Sequence, residues 1–490
     1  MRIRHVIIAL LLPALAWAQD KTGELHRPKI HFSPKKGWMN DPNGMVYFNG
    51  TYHLFFQHNP HNTVWGPMHW GHATSKDLIH WKEQPIALYP DTLGTIFSGS
   101  AVIDTKNTAG FGKNAMVAIY TNHNHSQEQA GSDKFQNQSI AYSLDEGKTW
   151  TKYKGNPVLS NPGIRDFRDP KVSWYEAGKK WIMTLATKDH ITFYSSPDLK
   201  QWKEESRFGE NLGAHGGVWE CPDLFPLNDK GKEIWVLIVN INPGGPNGGS
   251  ATQYFTGSFD GHVFKADHTD IKWLDYGPDE YAGITWSNTP GRRIFLGWMS
   301  NWQYANVVPT GNWRSATTIA RDLKLVKTGK GYLVASEPVR EFNRIGGKVF
   351  KAENVSADNY QLTSKAGKLA GAARVSVSLP KAASFTITLS NNQGEQTVIG
   401  YDEGKQEYFI DRTKSGETGF EKGFAGRHTV PRFATGDPMN LALVIDDASV
   451  ELFADNGLSV MTSIFFPTNN YTDITISGGA QLSKVTYQAL

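Results

Sequence analysis

Three acids stand in matched contexts. Asp41 lies in "GWMNDPNG", Asp169 in "FRDP" and Glu220 in "WECP", each followed by proline directly or one residue later. Asp beside Pro is an ordinary turn signal, so one such pair carries no argument. Three of them, each opening a run of strand-forming residues, point to a shared site. Two carboxyl groups facing one another across a cavity are the usual apparatus for cleaving glycosidic bonds. One attacks the sugar or directs water, and the other protonates the departing oxygen. Such a pair works when its surroundings separate the two pKa values. Asp41 is flanked by the amides of Asn40 and Asn43 and by turn N–H groups, donors that favour a charged nucleophile. Glu220 stands among Trp219, Cys221 and Pro222, where poor solvation is expected to raise its pKa and suit it to a general acid. Asp169 follows Arg168, and beside a cation it is expected to stay ionised and to bind sugar hydroxyls. Trp38, Trp65, Trp219 and Trp302 supply flat apolar faces for sugar rings near these segments.

The elements that must position these acids are strands. After residue 30, long helical periodicity is scarce, and short runs of Val, Ile, Tyr, Phe, Trp and Thr alternate with Gly, Asn, Asp and Pro. Five segments share a plan of strand, polar turn and apolar strand. They start at Met45, Ala101, Lys171, Asp223 and Ile284, roughly 50 to 70 residues apart. An echo follows several of them: "SKDLIHW", "SLDEGKTW", "SPDLKQW" and "SFDGHVF". Five sheet-sized units with a recurring Ser-x-Asp turn predict an all-β, five-bladed propeller. In a propeller the innermost strands converge on one axis. The residues just before each hairpin are then Asp41, Ser98, Asp169, Glu220 and Tyr281, with the three carboxylates expected at equivalent positions. Beyond about residue 345 the texture changes. The last tryptophan is Trp313, and alternation takes over in "ARVSVSLP", "SFTITLSN" and "LALVIDDASVELFADNG". That pattern predicts an antiparallel β-sandwich with one wet and one buried face, joined through "SEPVREFNRIGGKV".

The bulk properties narrow the remaining choices. The chain has 490 residues, a formal charge of +3 and no long run of like charge, which argues against a nucleic-acid partner. Arg2 and Arg4 precede the apolar run "VIIALLLPALAW", which ends in the small-residue site "AWA". This reads as a signal peptide cleaved near Ala18, too short for a membrane anchor, and predicts export to the periplasm or the exterior. The expected organisation is therefore residues 1–18 as leader, 19–343 as propeller and 344–490 as sandwich. Cys221 is the only cysteine, so no internal disulfide forms.

The motifs together resemble glycoside hydrolase family 32, which acts on β-fructofuranosides. The likeness runs from "HFSPKKGWMNDPNG" through "FFQHNP", "WGPMHWGHATSKDLIHW", "FSGS", "FRDP" and "WECPDLF" to "SVELFADNG", nearly the whole mature chain. The resemblance implies a five-bladed propeller followed by a β-sandwich and a retaining mechanism. By matching motifs it implies Asp41 as nucleophile, Glu220 as acid/base and Asp169 as the stabiliser of the transition state. It further implies Asn40, Gln57, Trp65, Phe97, Ser98, Arg168 and Trp302 as the fructose subsite, with Trp298 close by in sequence to Trp302. Within the family, "GWMSNWQYA" and "PTGNWRSATTIARDL" look most like exo-acting levanases and inulinases. His58 and Ala320 depart from the residues common there, tyrosine and proline, and touch no catalytic role. The partner is then a fructan or sucrose, with no cofactor and no metal; monomer and homodimer both remain open.

Rival readings differ in chemistry. His58, His61, His69 and His72 have a ligand-like spacing, but no nearby acid or cysteine completes a zinc set. Cys221 has no paired histidine in a recognisable pattern and is read as a neighbour shaping the surroundings of Glu220. A non-catalytic fructan-binding propeller would not need all three acids. An inverting propeller glycosidase would separate its carboxyls more widely. An invertase or a fructosyltransferase of the same family shares every catalytic residue, and only product sizing separates these. The sandwich is expected to be structural.

Overall fold

The computed structural model describes residues 25–329 and 331–490, so the leader-like run lies outside the described residues. Among the described residues there are five sheets of four or five strands and two sheets of six. The first blade runs outward from Gly37–Phe48 through Thr51–Asn59 and His69–Ser75 to Trp81–Leu88. The innermost strands of the others are Thr95–Asp104, Phe167–Tyr175, Val218–Asp229 and Tyr281–Thr285. Neighbouring innermost strands touch in blade order, and the fifth touches the first, which closes a five-bladed ring. A short segment after the fifth blade's second strand seals it: Trp313–Arg314 pairs in parallel with Gly37 and Trp38.

The recurring Ser-x-Asp turn has a local cause. Asp77 accepts the N–H groups of Ile79 and His80, while Ser75 donates to Asp77 at 3.0 Å. Ser143 with Asp145 and Ser196 with Asp198 repeat the arrangement, and Asp260 accepts the N–H groups of His262 and Val263. Each carboxylate satisfies turn donors that the sheet leaves free. Related Asp-capped turns therefore lead into the outermost strand of four blades.

Every innermost strand is bulged at the same level. Two residues there face one residue of the neighbouring strand: Asn40 and Asp41, Phe97 and Ser98, Asp169 and Pro170, Cys221 and Pro222, Ala282 and Gly283. A bulge bends the strand and frees backbone groups from the ladder. Asp169, Cys221 and Ala282, the first bulge residues of three blades, have φ of 63°, 42° and 53°. Non-glycine residues there cost about 1 kcal/mol or more each, and persist only when their surroundings fix them. Side chains from adjoining strands do so. Thr121 accepts from Asp169 N, Ser100 donates to Pro170 O, and Asn240 bonds both Cys221 O and Gly283 N.

This register corrects the expected equivalence of the three acids. Glu220 precedes its bulge, in the row of Arg168 and Tyr281; Asp169 is a first bulge residue; Asp41 is a second, in the row of Ser98. The acids thus stand at three successive levels of the register and not in one ring.

The two six-stranded sheets form the sandwich. One contains Ala373–Leu379, whose burial alternates residue by residue, as does that of Phe385–Ser390 in the other. The expected wet outer face fails for Ser449–Ala454 and Ser459–Ile464, which are buried throughout. Their outer face lies against the propeller, where Phe453 and Val460 pack with Ile319 and Phe342. Between the last propeller strand, Gly331–Pro338, and Phe350–Ser356 lies one 3-10 turn, Arg340–Arg344. Among the described residues, no helix is long and apolar enough to cross a membrane.

Charged groups bind the two halves. Arg321, fully buried, reaches Asp275 at 2.9 Å and also bonds Glu451 of the sandwich. Glu451 and Asp446 hold the two nitrogens of buried His31 at 2.8 Å each. Burial alone would lower the His31 pKa, but its bonds to Asp446 and Glu451 outweigh that and raise it to about 9. A folded pKa above the unfolded value near 6.5 means stability that is full below that value and lost as pH rises through 9. His31→Gln is therefore expected to lose roughly 3 kcal/mol at pH 6 and far less at pH 9.5. Urea midpoints of both proteins across that range check this. A gap between them independent of pH would contradict the assignment.

Candidate active site

The acids meet at the end of the axis where the innermost strands begin. Asp41 is half-buried; Asn40 donates to its Oδ1 at 2.8 Å and Ser98 to its Oδ2 at 2.6 Å. Trp38 in turn fixes Asn40, donating from Nε1 at 2.7 Å. Cys221 ties Asp41 to Asp169: its Sγ lies 3.5 Å from Asp41 Oδ2 and 3.7 Å from Asp169 Oδ2, and its backbone N donates to the same Asp169 oxygen at 3.0 Å. Burial, with the three acids around it, pushes the Cys221 thiol well up, so it serves as a neutral donor and not as a nucleophile.

Glu220 is held by two donors. Arg168 reaches its Oε1 from Nη2 at 3.0 Å and from Nε at 3.3 Å, and the Tyr281 hydroxyl bonds Oε2. Burial and the Glu220 charge push the Tyr281 phenol well above its usual range, so it stays protonated and donates. The apolar surroundings expected for Glu220 are therefore not those found. Alternation along the strand turns Trp219 into the fourth blade's core, where its Nε1 bonds Ala214 O at 2.9 Å. Arg168 spans to Asp166 at 2.6 Å as well, and stays charged because these carboxylates outweigh its burial.

Asp169 also departs from expectation. Burial raises its pKa to about 7 against the pull of Arg168, with repulsion from Glu220 and Asp41 adding to the rise. Arg168 lies 4.0 Å away and is committed to Asp166 and Glu220, so its adjacency in sequence overstates its hold on Asp169.

The remaining expected residues gather unevenly. Gln57 is buried opposite the bulge of Asn40 and Asp41, with its Nε2 unpartnered. Phe97 precedes Ser98, and its ring meets Trp65 edge-on at 6.0 Å. Trp65 sits on a loop and is 41% exposed, placed to meet whatever enters. Trp302 is half-buried and stacks on Trp38 at 5.9 Å, whereas Trp298 is wholly buried beneath it. Of the histidines singled out by spacing, His58 bonds Trp38 O and His72 bonds His53, so they do not converge on one point. Tyr281, Asp166 and Gln136 complete the surroundings of Glu220 and Arg168; only Tyr281 had a signal, its place at the start of the fifth repeat.

The axis is blocked beneath the acids. A cavity of about 10 Å³, room for one water, is lined by Ser98, Pro170, Cys221, Pro222 and Ile284. Below it Lys171 and Asp223 form a buried ion pair at 3.2 Å that also bonds the backbone of Thr285. A cavity of about 580 Å³ lies beyond that plug, at the opposite end of the ring from the acids. The axis is consequently closed beneath the acid-bearing site.

Comparison with known proteins agrees with this arrangement. Residues 31–337 match the model of the glycosyl hydrolases family 32 N-terminal domain, and residues 343–488 match the family 32 C-terminal model. A levanase of Bacillus subtilis is 46% identical, with 100% of this chain and 74% of that one covered. An extracellular exo-inulinase of Aspergillus niger is 41% identical, with 93% and 92% covered. The crystal structure of an exo-inulinase from Aspergillus awamori superposes with a TM-score of 0.86 at 37% identity, covering 95% of this chain and 98% of that one. A β-fructofuranosidase from Schwanniomyces occidentalis, complexed with fructosyl-erythritol, gives 0.87 at 34% identity, covering 96% and 98%. With both family models spanning it and relatives this similar over its length, the chain belongs to glycosyl hydrolase family 32 and is a glycosidase.

Proposed function

We propose that this chain is an exported, exo-acting, retaining β-fructosidase that releases terminal fructose from levan, inulin and sucrose. The observation that carries this reading is the convergence of Asp41, Asp169 and Glu220 at one end of a plugged axis. Relatives named as exo-inulinases support action at the chain end. An extracellular exo-inulinase among the relatives supports export, and it and the levanase support the substrate class. In this reading residues 19–343 form the catalytic unit and 344–490 a structural sandwich.

The chemistry assigns one role to each acid. An Asp41 oxygen bonds to the anomeric carbon of the terminal fructose while the glycosidic C–O bond breaks, and Glu220 gives its proton to the departing oxygen. Water then attacks the same carbon, loses a proton to Glu220 and releases Asp41. Asn40 and Ser98 fix the direction of attack by holding both Asp41 oxygens. Arg168 and Tyr281 fix Glu220 likewise. Asp169, at the intermediate level, binds ring hydroxyls, helped by Gln57, while Trp65, Phe97 and Trp302 bound the sugar's apolar faces.

Two outcomes follow from these roles. Asp41→Asn and Glu220→Gln are each expected to lower kcat on sucrose by at least about 10³-fold while leaving thermal unfolding near that of the unaltered protein. Activity within tenfold of the original in either variant would remove that residue from the chemistry. On inulin and levan, product sizing over a time course is expected to show fructose alone from the first samples; early oligosaccharides would overturn exo action.

A further inference from the structure

Beside the pocket, the second blade carries a chain of side-chain bonds that the roles above do not use. His123 ends the strand Ala115–His123, and Gln136 opens Gln136–Ser143; the two are paired in register and both are buried. Gln136 Oε1 accepts from Phe167 N at 2.9 Å and faces Arg168 Nη1 at 3.5 Å. That backbone bond fixes the amide's orientation, so Nε2 faces His123 Nδ1, at 3.3 Å. With Nδ1 accepting, His123 Nε2 carries the proton and donates to Glu128 at 3.1 Å. Burial holds this imidazole down, to about 4, against the pull of Glu128, which keeps it neutral. Its ring lies flat on Phe97, with centroids 4.2 Å apart and planes 8° from parallel.

His123, His125 and Glu128 also have the spacing of a metal site. A metal on His123 Nε2 would place the proton on Nδ1, against the N–H of Gln136. The bond direction argues for an organic relay instead.

We propose that Gln136 and His123 are positioning residues: Gln136 sets Arg168, and through it Glu220, while His123 sets the plane of Phe97 against the bound sugar. This rests on the roles given above to Glu220 and Phe97. The two arms separate kinetically, because one acts on the proton donor and the other on binding. Gln136→Leu is expected to lower kcat on sucrose about tenfold with KM within about twofold. Gln136→Asn, whose shorter amide cannot span both partners, is expected to give the same split and serves if the leucine variant does not fold. His123→Ala is expected to raise KM about fivefold with kcat little changed, and His123→Phe, which keeps a flat ring on Phe97, is expected to restore KM. Unaltered kcat in both Gln136 variants, or a KM that His123→Phe leaves as high as His123→Ala, would overturn the proposal. If Asp41→Asn and Glu220→Gln lose activity while the Gln136 and His123 variants match the original, only the positioning roles fall. If those acid variants stay active, the site reading itself falls.

Discussion

The bulge shared by the five innermost strands is the constraint from which the site follows. A regular strand would send alternate residues to the two faces of its blade and pair all its backbone groups. At the bulge the ladder slips by one residue, freeing carbonyl and N–H groups in a narrow axial space with little room for water. Polar side chains from adjoining strands must take them up, and Thr121, Ser100 and Asn240 do so. Because those side chains come from the second strand of the same blade or from the blade next door, the blades are locked together at the level where the acids project. Asp169 and Cys221 can be held at positive φ only in such a frame.

The plug beneath the acids extends this logic. Lys171 and Asp223 occupy the row just past the bulge in the third and fourth blades, and they bond Thr285 of the fifth. A buried ion pair is weak support for stability by itself. Here it fills the axis and divides the propeller into a reactive mouth and a separate cavity at the far end. The sandwich docks elsewhere, through Arg321, Glu451 and His31, so the charged groups that hold the halves together are distinct from those that face a substrate.

Much of the architecture was legible in the sequence. Five strand-turn-strand repeats and the Ser-x-Asp echo reported the blades because each blade must solve the same turn problem locally. The acids stood out through their prolines. What the sequence blurred was the one-residue stagger. Pro170 and Pro222 occupy the second bulge position, but Pro42 lies one row further on, so aligning all three acids on proline misplaces Asp41. The surroundings of Glu220 are likewise hidden in the sequence, because Trp219 turns to the other face of the strand and Cys221 turns to Asp41 and Asp169. Its true partners, Arg168 and Tyr281, come from two other blades. Gln136 and His123 gave no signal at all, since only the pairing of two strands in the second blade makes them adjacent.

The central claim is that Asp41 attacks the sugar directly and that the three staggered acids carry a two-step reaction. The most direct measurement is the configuration of the glycoside formed when sucrose is cleaved in water containing methanol. Attack by Asp41 followed by transfer to methanol predicts methyl β-fructofuranoside, with the configuration of the substrate kept. The α anomer as the enzymatic product would mean a single displacement by solvent, and would contradict the account.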